Sequence, residues 1–275
     1  MKKSIAILMT CYNRKESTKK CLSALYQNKG NFWLKVFLVD DGSTDGTKEM
    51  IAGLFPDVTI IQGSGNLFWN RGMYLSWARA TEYNCGYFLW LNDDTILFPN
   101  AIASLIHMIN CCKSPSIIVG TLMDSEGRIS YGGHITGKAN NDILIPQKDK
   151  IIKCDFFNGN CVLVPRQVYD ILGNLDYHFK HGIGDYEYGY RANKYGINCI
   201  ISMNFIGICN RNEEKDKTEF LSNKLPLKQR IKLLYSPLGQ NPFEVFYFSR
   251  KYHSFFYAIG LFCKLHLNLL FKLHD

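Results

Sequence analysis

Two pairs of adjacent carboxylates are the residues of this chain best suited to chemistry. Asp40-Asp41 follows the apolar run Val36–Val39, and Asp93-Asp94 follows the apolar run Tyr87–Leu91 after one asparagine. Like charges on one loop repel each other, so each pair is explained most simply by a divalent cation that also binds a phosphate. Oxygen ligands of this kind favour Mg²⁺ or Mn²⁺. A solvated Asp-Asp turn is the alternative for each pair.

Strand ends are the elements that must position these carboxylates. The run 36–39 is continuous rather than alternating, which suits a parallel strand buried on both faces. Gly42–Gly46 then supplies turn and N-cap residues for a helix, and we expect Asp45 to act only in that turn. Ile5–Met9, followed by Thr10–Arg14 and a helical pattern, repeats the same order. Because open α/β sheets bind ligands at the carboxyl ends of their strands, the sequence predicts a nucleotide-binding edge.

A glycine-rich loop, Gly63–Leu67, precedes another helical pattern and suggests a phosphate site. It does not match a dinucleotide fingerprint, because the third glycine of GxGxxG would fall at Phe68. The loop therefore argues against a hydride-transfer enzyme.

A second acidic region lies past the middle of the chain. Asp185 and Glu187 follow Gly184 in the first turn of a predicted helix. Acids at a helix N-terminus contribute roughly 0.3–1 kcal/mol to stability. That effect explains one acid better than two.

These segments together resemble the family 2 glycosyltransferases of the GT-A fold. The resemblance rests on Thr10–Arg14, Val39–Thr47 and Leu91–Thr95, whose order and spacing match, and it covers residues 1 to about 210. It implies an α/β fold, in which a Rossmann-like, mostly parallel sheet is flanked by helices and followed by a C-terminal helical tail.

The resemblance also implies roles for the residues of the donor site. Asp94 is expected to bind Mn²⁺ or Mg²⁺ in a DxD-type motif, and either Asn92 or Asp93 to contact the ribose. Arg71 is expected near the diphosphate, with a surface charge at a helix start as an equal alternative. Thr10 and Asp41 are expected to contact the base of the nucleotide. The full donor-binding set is Thr10, Asn13, Arg14, Asp41, Asn66, Arg71, Asn92 and Asp93.

On the acceptor side the resemblance implies Asp185 as the general base and Glu187 as a supporting or acceptor-facing acid, and Gly159 is expected on the same side. A carboxylate suits this task if desolvation raises its pKa towards neutrality. The implied reaction is a single in-line displacement at the anomeric carbon, which inverts the configuration.

One position departs from the family pattern. Many relatives place a metal-binding histidine after the base helix, whereas this chain has none between His181 and His253 and offers Cys209 and Asn210 instead. A thiolate is a poor ligand for Mg²⁺ or Mn²⁺. The third metal ligand is therefore left unassigned.

Composition indicates a folded protein of the cytoplasm. The 275 residues are 47% hydrophobic, which excludes disorder. The ten cysteines form no CxxC spacing and are expected to be buried thiols in a reducing compartment. The apolar run at the N-terminus is too short for a signal peptide.

The excess positive charge is concentrated near the C-terminus. The net charge is +8, and residues 220–275 hold eight lysines and arginines against two carboxylates. This distribution argues against nucleic acid as a partner. The apolar run Phe255–Cys263 is well short of the roughly 20 residues that span a bilayer. On a helix, His253, Lys264, Asn268 and Lys272 share one arc, which favours either a membrane surface or packing on the domain or in a homodimer.

We therefore expect a catalytic domain over residues 1–215 and a basic, aromatic-rich helical tail over 216–275. Within the domain, residues 1–120 would bind the nucleotide sugar and 121–215 would face the acceptor. The expected enzyme is an inverting, metal-dependent, non-processive glycosyltransferase that uses a UDP- or dTDP-sugar. Its acceptor would be a lipid-linked glycan of surface polysaccharide or lipopolysaccharide assembly at the inner face of the cell membrane. A Gln-x-x-Arg-Trp motif of processive synthases is absent, since no tryptophan follows Trp90.

Two other functions remain open at this point. A nucleotidyltransferase would also use a strand-end carboxylate and a metal, but it needs a glycine- and lysine-rich N-terminal loop, and residues 10–15 contain no glycine. A non-catalytic nucleotide-sugar or membrane-binding module would bind its ligand without turnover.

Overall fold

A computed structural model describes residues 3–137, 143–211 and 225–271 of the chain. The strands are β1 Lys3–Cys11, β2 Phe32–Asp40, β3 Thr59–Gln62, β4 Tyr87–Leu91, β5 Ile96–Leu97, β6 Ser116–Met123, β7 Ile129–Tyr131, β8 Gly133–His134, β9 Lys153–Cys154, β10 Phe156–Phe157, β11 Cys161–Pro165 and β12 Asn198–Ile208. The helices are α1 Lys15–Gln27, α2 Thr47–Leu54, α3 Phe68–Ala80, α4 Ala101–Cys111, α5 Arg166–Leu172, α6 Gly184–Lys194, α7 Leu227–Leu234, α8 Pro242–Tyr252 and α9 Phe255–Phe271.

The main sheet contains ten of the described strands, and its central order is β3-β2-β1-β4-β11-β6-β12-β5. Strands β3, β2, β1 and β4 run parallel to one another, whereas β11 is antiparallel to both of its neighbours. Strands β6 and β12 are again parallel. The expected mostly parallel sheet with flanking helices is confirmed.

Helices cover both faces of this sheet, as the continuous apolar strands require. In β1, Ile5, Ile7 and Met9 pack with α1, α2 and α4, whereas Ala6 and Leu8 pack on the other face with α3, α5 and α6. Each strand of the centre therefore contributes side chains to two cores. Burial on both faces explains why these strands lack a polar alternation.

The two parts expected on either side of residue 120 contribute strands to the same sheet. Strand β11 from the second part lies between β4 and β6, and it pairs Cys161 with Leu91 at the end of β4. The two parts therefore share one sheet and one edge. The expected domain boundary at residue 215 lies outside the described residues.

The last three helices form a small unit with its own core. Leu234 of α7 packs with Leu265 and Leu269 of α9, and α8 packs along α9. No helix among the described residues is both long and apolar enough to cross a bilayer.

Candidate active site

The carboxyl ends of β1, β2 and β4 lie side by side at one edge of the sheet. In register, Cys11 pairs with Asp40, and Leu8 pairs with Trp90. The loops that follow these strands hold the residues predicted for the donor site. From β1 the chain builds the sheet outward through β2 and β3 on one side, and then returns to add β4 on the other side of β1. Such a switch point is the usual ligand site of an open α/β sheet.

Arg14 holds the acidic pair of the β4 loop. Its Nη1 atom lies 2.9 Å from Asp93 Oδ1 and 2.9 Å from Asp94 Oδ2. Arg14 is placed there by Asn13, which turns the chain at a positive φ of 50° directly before α1. One guanidinium therefore offsets part of the repulsion between two adjacent carboxylates.

Asp93 is the more buried member of the pair. Burial raises its pKa to about 7, although the charge of Arg14 acts in the opposite direction. Its Oδ2 atom is buried without a hydrogen-bond partner among the described residues. Asp94 is more accessible, with 15% of its side chain exposed. Of the two, Asp94 is therefore better placed to meet a ligand.

Cys209, directly after β12, contacts Asp94 of the acidic pair. Its Sγ lies 3.3 Å from Asp94 Oδ1 and accepts a hydrogen bond from the side-chain amide of Asn160 at 3.5 Å. Burial, together with the charge of Asp94, raises the pKa of Cys209 to about 12. The thiol is therefore protonated near neutral pH and donates to Asp94. It occupies the region where the family resemblance leads one to look for a metal-binding histidine.

The oxygen-rich acidic pair fits a hard divalent cation. Its carboxylates are the ligand type that Mg²⁺ and Mn²⁺ prefer, and Asp93 keeps one buried oxygen without a partner. The described residues contain no group of three or more His, Cys, Asp or Glu side chains that could hold a metal ion. An ion here would take Asp94 as its main protein ligand, as the sequence predicts.

Asp41 is enclosed by the glycine-rich loop. Its carboxylate accepts hydrogen bonds from the backbone N–H groups of Gly65, Leu67 and Phe68 at 2.7, 2.8 and 3.0 Å. Only glycine fits at position 63, because an added Cβ would lie 2.7 Å from the Asp41 side chain. Asp41 thus fixes the loop, and both of its oxygens are engaged within the chain. The predicted base contact of Asp41 stays a prediction.

The other predicted donor residues line the same loops. Asn13 Oδ1 accepts from the Thr44 N–H at 2.7 Å, and the Asn13 N–H donates to Ser43 Oγ. Thr10 lies under the first turns of α3, where an added Cβ on Gly72 would clash with its hydroxyl. Asn66 is exposed on the loop. The structure therefore brings these residues to one edge.

Asp45 plays the local part expected of it. Its side chain accepts from the backbone N–H of Thr47 at 3.1 Å and from that of Lys15 at 3.0 Å. These bonds satisfy free N–H groups in the first turns of α2 and α1. The expectation that Asp45 acts in the turn is confirmed.

The first turn of α3 connects the donor edge to the second half of the chain. Trp69 Nε1 donates to Asn92 Oδ1 at 2.7 Å. Asn70 donates through Nδ2 to the carbonyls of Asp176 and Phe179, and its N–H donates to the Lys180 carbonyl. Asn92 of the acidic motif is thus held by a tryptophan that sequence reasoning did not single out. Only its place in the helix start after the glycine-rich loop could have pointed to it.

Arg71 points to this connection rather than to the acidic pair. Its Nε donates to the Tyr177 carbonyl at 3.1 Å and its Nη2 to the His178 carbonyl at 3.3 Å. The guanidinium also lies 4.8 Å from the centre of the Tyr177 ring. Arg71 therefore holds the 176–180 segment, and its predicted place near the diphosphate stays a prediction.

Asp185 lies at the start of α6 and is oriented by backbone groups. Its Oδ2 accepts from the Gly159 N–H at 2.9 Å, and its Oδ1 accepts from the Tyr186 N–H at 2.9 Å. Ile183, directly before the helix, has a φ of +68°, which is strained for a β-branched residue. Gly184 is required, because an added Cβ would lie 1.8 Å from Asn70 Oδ1. Strain and close packing thus fix the position of Asp185.

The segment 159–160 links Asp185 to the acidic motif. Gly159 donates its N–H to Asp185, and the next residue, Asn160, accepts the Asn92 N–H at 2.9 Å. An added Cβ on Gly159 would lie 2.4 Å from the Trp69 ring and 3.3 Å from Asp185 Cβ. The predicted base and Asn92 of the acidic motif are therefore connected through one short segment.

Glu187 is completely buried and faces the C-terminal helices. Its carboxylate pairs with Arg191 at 2.9 Å and with Lys251 at 2.7 Å, and it accepts from the Tyr252 hydroxyl at 2.6 Å. Both carboxylate oxygens are engaged by these partners within the chain. The predicted role of Glu187 beside the acceptor stays a prediction. Lys251, which also pairs with Asp176 at 3.0 Å, was not identified from the sequence. Its proximity to Glu187 depends on long-range packing.

Comparison with known proteins gives one family and a set of similar folds. The sequence model of the family described as Glycosyl transferase family 2 matches residues 6–171. The mannosyltransferase PcManGT from Pyrobaculum calidifontis, solved in complex with GDP-Man and Mn²⁺, has a TM-score of 0.58 at 12% identity, over 100% of this chain and 77% of that one.

Two structures of TarS from S. aureus are also similar, both at 12% identity. The first has a TM-score of 0.55 over 85% of this chain and 42% of that one. A second, of TarS 1-349, has a TM-score of 0.54 over 96% and 81%. At this identity the likenesses show the fold alone. No curated protein matches the chain in sequence.

Proposed function

Because this chain belongs to glycosyl transferase family 2, it is a glycosyltransferase of the GT-A fold, and we propose that it inverts the configuration of the sugar it transfers. The donor is a nucleoside diphosphate sugar, and the acceptor is a hydroxyl of a glycan. The single observation that carries this proposal is the link through residues 159–160. It joins Asp185 to the acidic motif, so a base and a donor site lie around one segment.

Asp185 is the proposed general base. Its carboxylate would take the proton from the acceptor hydroxyl while that oxygen attacks the anomeric carbon and the bond from that carbon to the diphosphate oxygen breaks. Two backbone N–H groups hold the carboxylate in one orientation, which favours in-line attack by an acceptor bound on the same side. Because the attacking and leaving oxygens lie on opposite sides of the carbon, the configuration inverts.

Asp94 would hold the metal ion, with Asp93 and Asn92 beside it. A bound Mn²⁺ or Mg²⁺ supplies electrostatic stabilisation of the charge that develops on the departing diphosphate. Arg14 already neutralises part of the acidic pair and would then be available to the phosphate oxygens. The Cys209 thiol would keep Asp94 oriented through its hydrogen bond.

Thr10, Asn13, Asp41 and Asn66 remain the proposed nucleotide edge. Asp41 would act by fixing the glycine-rich loop that carries Asn66, since its oxygens already bind that loop. UDP- or dTDP-sugars are the proposed donors. The similar PcManGT structure contains GDP-Man, so GDP-sugars belong in any test.

A single addition to a lipid-linked glycan in surface polysaccharide assembly is the proposed pathway. Support comes from the sequence, which lacks the Gln-x-x-Arg-Trp motif of processive synthases. The enzyme would work at the inner face of the cell membrane, with residues 1–215 as the catalytic domain and the C-terminal helices beside it.

Release of nucleoside diphosphate in the presence of a glycan acceptor tests the base. Asp185→Asn should lower the rate of transfer by about 10²–10⁴-fold, the usual contribution of a general base, and leave donor affinity unchanged. Asp170→Asn, an exposed acid on α5, is the matched control and should retain full activity. Near-normal transfer by Asp185→Asn would show that another group takes the proton.

A further inference from the structure

The outer face of α9 is an exposed apolar stripe on a folded helix. Phe256, Leu267, Leu270 and Phe271 lie along it, with exposed fractions of 83%, 45%, 55% and 66%. Leu270 and Phe271 follow Leu267 by three and four residues, and Phe256 precedes it by 11 residues, about three turns, so all four lie on one side of the helix. The opposite side is buried, since Leu265 and Leu269 pack against Leu234 of α7. One apolar side of α9 is therefore packed within the protein, and the other is exposed and could bind a second surface.

This stripe differs from the arc expected from the sequence. His253, Lys264 and Asn268 were expected to share a polar side, and Lys272 of that arc lies outside the described residues. In the structure, Lys264 borders the apolar stripe, one turn before Leu267 and two turns before Phe271. The exposed side is therefore apolar with a basic edge.

The exposed charge of the three C-terminal helices has one sign. Glu244 is the only carboxylate among residues 225–271, and it is buried, where it accepts from the Lys180 N–H. Exposed basic side chains in the same helices are Lys228, Lys232, Arg250 and Lys264. The surface of the three helices thus offers apolar and cationic groups without an exposed anion among the described residues.

The stripe is held in a fixed position relative to the catalytic helix. Helix α8 is tied to α6 by the buried contacts of Lys251 and Tyr252 with Glu187. Helix α9 packs along α8 through contacts such as Phe262 with Phe243. Whatever binds α9 is therefore held at a set distance from Asp185.

We propose that the outer stripe of α9 docks on the surface of an anionic lipid bilayer. Aromatic and aliphatic side chains would enter the interface, and Lys264 at the edge of the stripe would reach the lipid headgroups. The other exposed cations of the three helices would add electrostatic attraction to the anionic surface. The helix has 17 residues and is about 25 Å long, so it would lie in the plane of the interface.

A second copy of this chain fits the stripe less well. A two-fold dimer pairs this patch with the same patch of the other copy, so both sides of the interface would carry the basic edge of Lys264 and no exposed carboxylate from the described parts of the three helices. The centre of the stripe is Gly260 and Cys263, which make poor knobs for packing between helices. An anionic surface instead complements the charge that the stripe carries. Docking on a bilayer would bring the enzyme to a lipid-linked acceptor, and this link to the acceptor rests on the proposed function.

Co-flotation with vesicles tests the proposal. The full chain should bind vesicles of phosphatidylcholine with 30% phosphatidylglycerol at least ten-fold more strongly than vesicles of phosphatidylcholine alone. The combined variant Phe256→Ser, Leu267→Ser and Phe271→Ser should reduce binding by at least ten-fold. Lys264→Glu should reduce the preference for the anionic vesicles.

A matched control replaces equally exposed apolar residues of the catalytic part. Leu54→Ser, Ile145→Ser and Ile171→Ser remove side chains that are 55%, 65% and 53% exposed, and this variant should bind vesicles like the native chain. Equal binding by the stripe variant and the native chain would overturn the proposal. So would a native dimer that does not bind vesicles and that the stripe variant converts to monomer in light scattering.

Release of nucleoside diphosphate separates this proposal from the proposed function. The stripe variant should transfer sugar to a water-soluble acceptor at the native rate, because the three substituted side chains are exposed on α9 rather than on the elements that hold Asp185 and Asp94. A chain that binds anionic vesicles through the stripe yet transfers no sugar would contradict the proposed function and leave the docking surface supported.

Discussion

Arg14 is the residue on which the charge balance of the candidate site depends. Its guanidinium lies 2.9 Å from both Asp93 and Asp94. This single positive charge offsets only part of the negative charge of the two carboxylates. A metal ion that binds Asp94 must compete with this guanidinium. If Asp94 binds the metal as proposed, Arg14 would weaken the affinity of the donor-free enzyme for the free ion.

Arg14→Met should increase the affinity for Mn²⁺ in the absence of donor. Removing the competing charge should lower the dissociation constant by about ten-fold, equivalent to about 1.4 kcal/mol. Electron paramagnetic resonance of free Mn²⁺ measures this directly. Arg79→Met, which removes an exposed ion pair with Glu82, is the control. An unchanged Mn²⁺ affinity in Arg14→Met would show that the guanidinium does not compete with the ion.

At the scale of residues, the sequence predicts which side chains reach the site but not their partners. Strand ends place Asp41 and Asp94 at one edge, because parallel strands end together. The three backbone donors around Asp41 and the thiol beside Asp94 depend on loop geometry and on β12, which lies far away in sequence. Cys209 could be suspected only because it stands where a family ligand was missing.

At the scale of elements, α8 belongs to the catalytic unit. Lys251 joins Glu187 on α6 to Asp176, and Tyr247 of α8 also donates to Asp176 at 3.0 Å. The 176–180 segment is held on its other side by Asn70 and α3. The helices that hold the base and the donor edge are therefore connected through α8.

Lys251→Met should lower the free energy of unfolding by about 1–3 kcal/mol at pH 7, because it removes one partner of the buried Glu187 and leaves Arg191 and Tyr252. Arg250→Met, an exposed neighbour, is the control and should change stability by less than about 0.5 kcal/mol. Urea unfolding measures both. A loss for Lys251→Met no larger than that of the control would show that the buried contacts contribute little.

The cost of Lys251→Met should shrink in acid. Burial acts against ionisation of Asp176, but hydrogen bonds from the His178 N–H and Lys251 outweigh it and hold the pKa of Asp176 below its ordinary value. As the pH falls, Asp176 is therefore protonated at a higher pH in the unfolded chain than in the folded chain. The stability from Asp176 is present above its unfolded pKa of about 3.9 and is lost as pH falls through the folded pKa. Urea unfolding at pH 3 should show a smaller difference between the native chain and Lys251→Met than at pH 7, and an equal difference would contradict this.

Gly159→Ala tests the link between the two halves of the site. The added methyl would overlap the Trp69 ring and press on Asp185, so transfer should fall by at least 100-fold, with a stability loss of about 1–3 kcal/mol. Gly182→Ala, where a Cβ meets nothing within 4 Å, is the control and should keep its activity. Stopped assays of sugar transfer and thermal melts measure the two effects. Native activity in Gly159→Ala would mean that the contact does not position Asp185.

At the scale of the whole molecule, the sequence predicts the parallel half of the sheet better than the rest. Continuous apolar strands followed by polar loops identify β1, β2 and β4, since each pattern is local. The insertion of β11 between β4 and β6 is a long-range pairing that no local pattern encodes. The sequence left open whether the tail packs on the domain, on a second subunit or on a membrane, and the pair of Glu187 and Lys251 attaches α8 to the catalytic part.

Thermal stability with Mn²⁺ across UDP-, dTDP- and GDP-sugars tests the central claim most directly, comparing the native chain with Asp94→Ala and with the exposed-acid control Asp170→Ala. A donor at 100 times its dissociation constant stabilises the folded state by about 2.7 kcal/mol, which raises the melting temperature by about 5 °C or more for a chain of this size. We predict such a rise with one nucleotide class, dependent on Mn²⁺, retained in Asp170→Ala and lost in Asp94→Ala. An equal rise in Asp94→Ala, or no rise with any donor, would contradict a metal-dependent donor site at the end of β4.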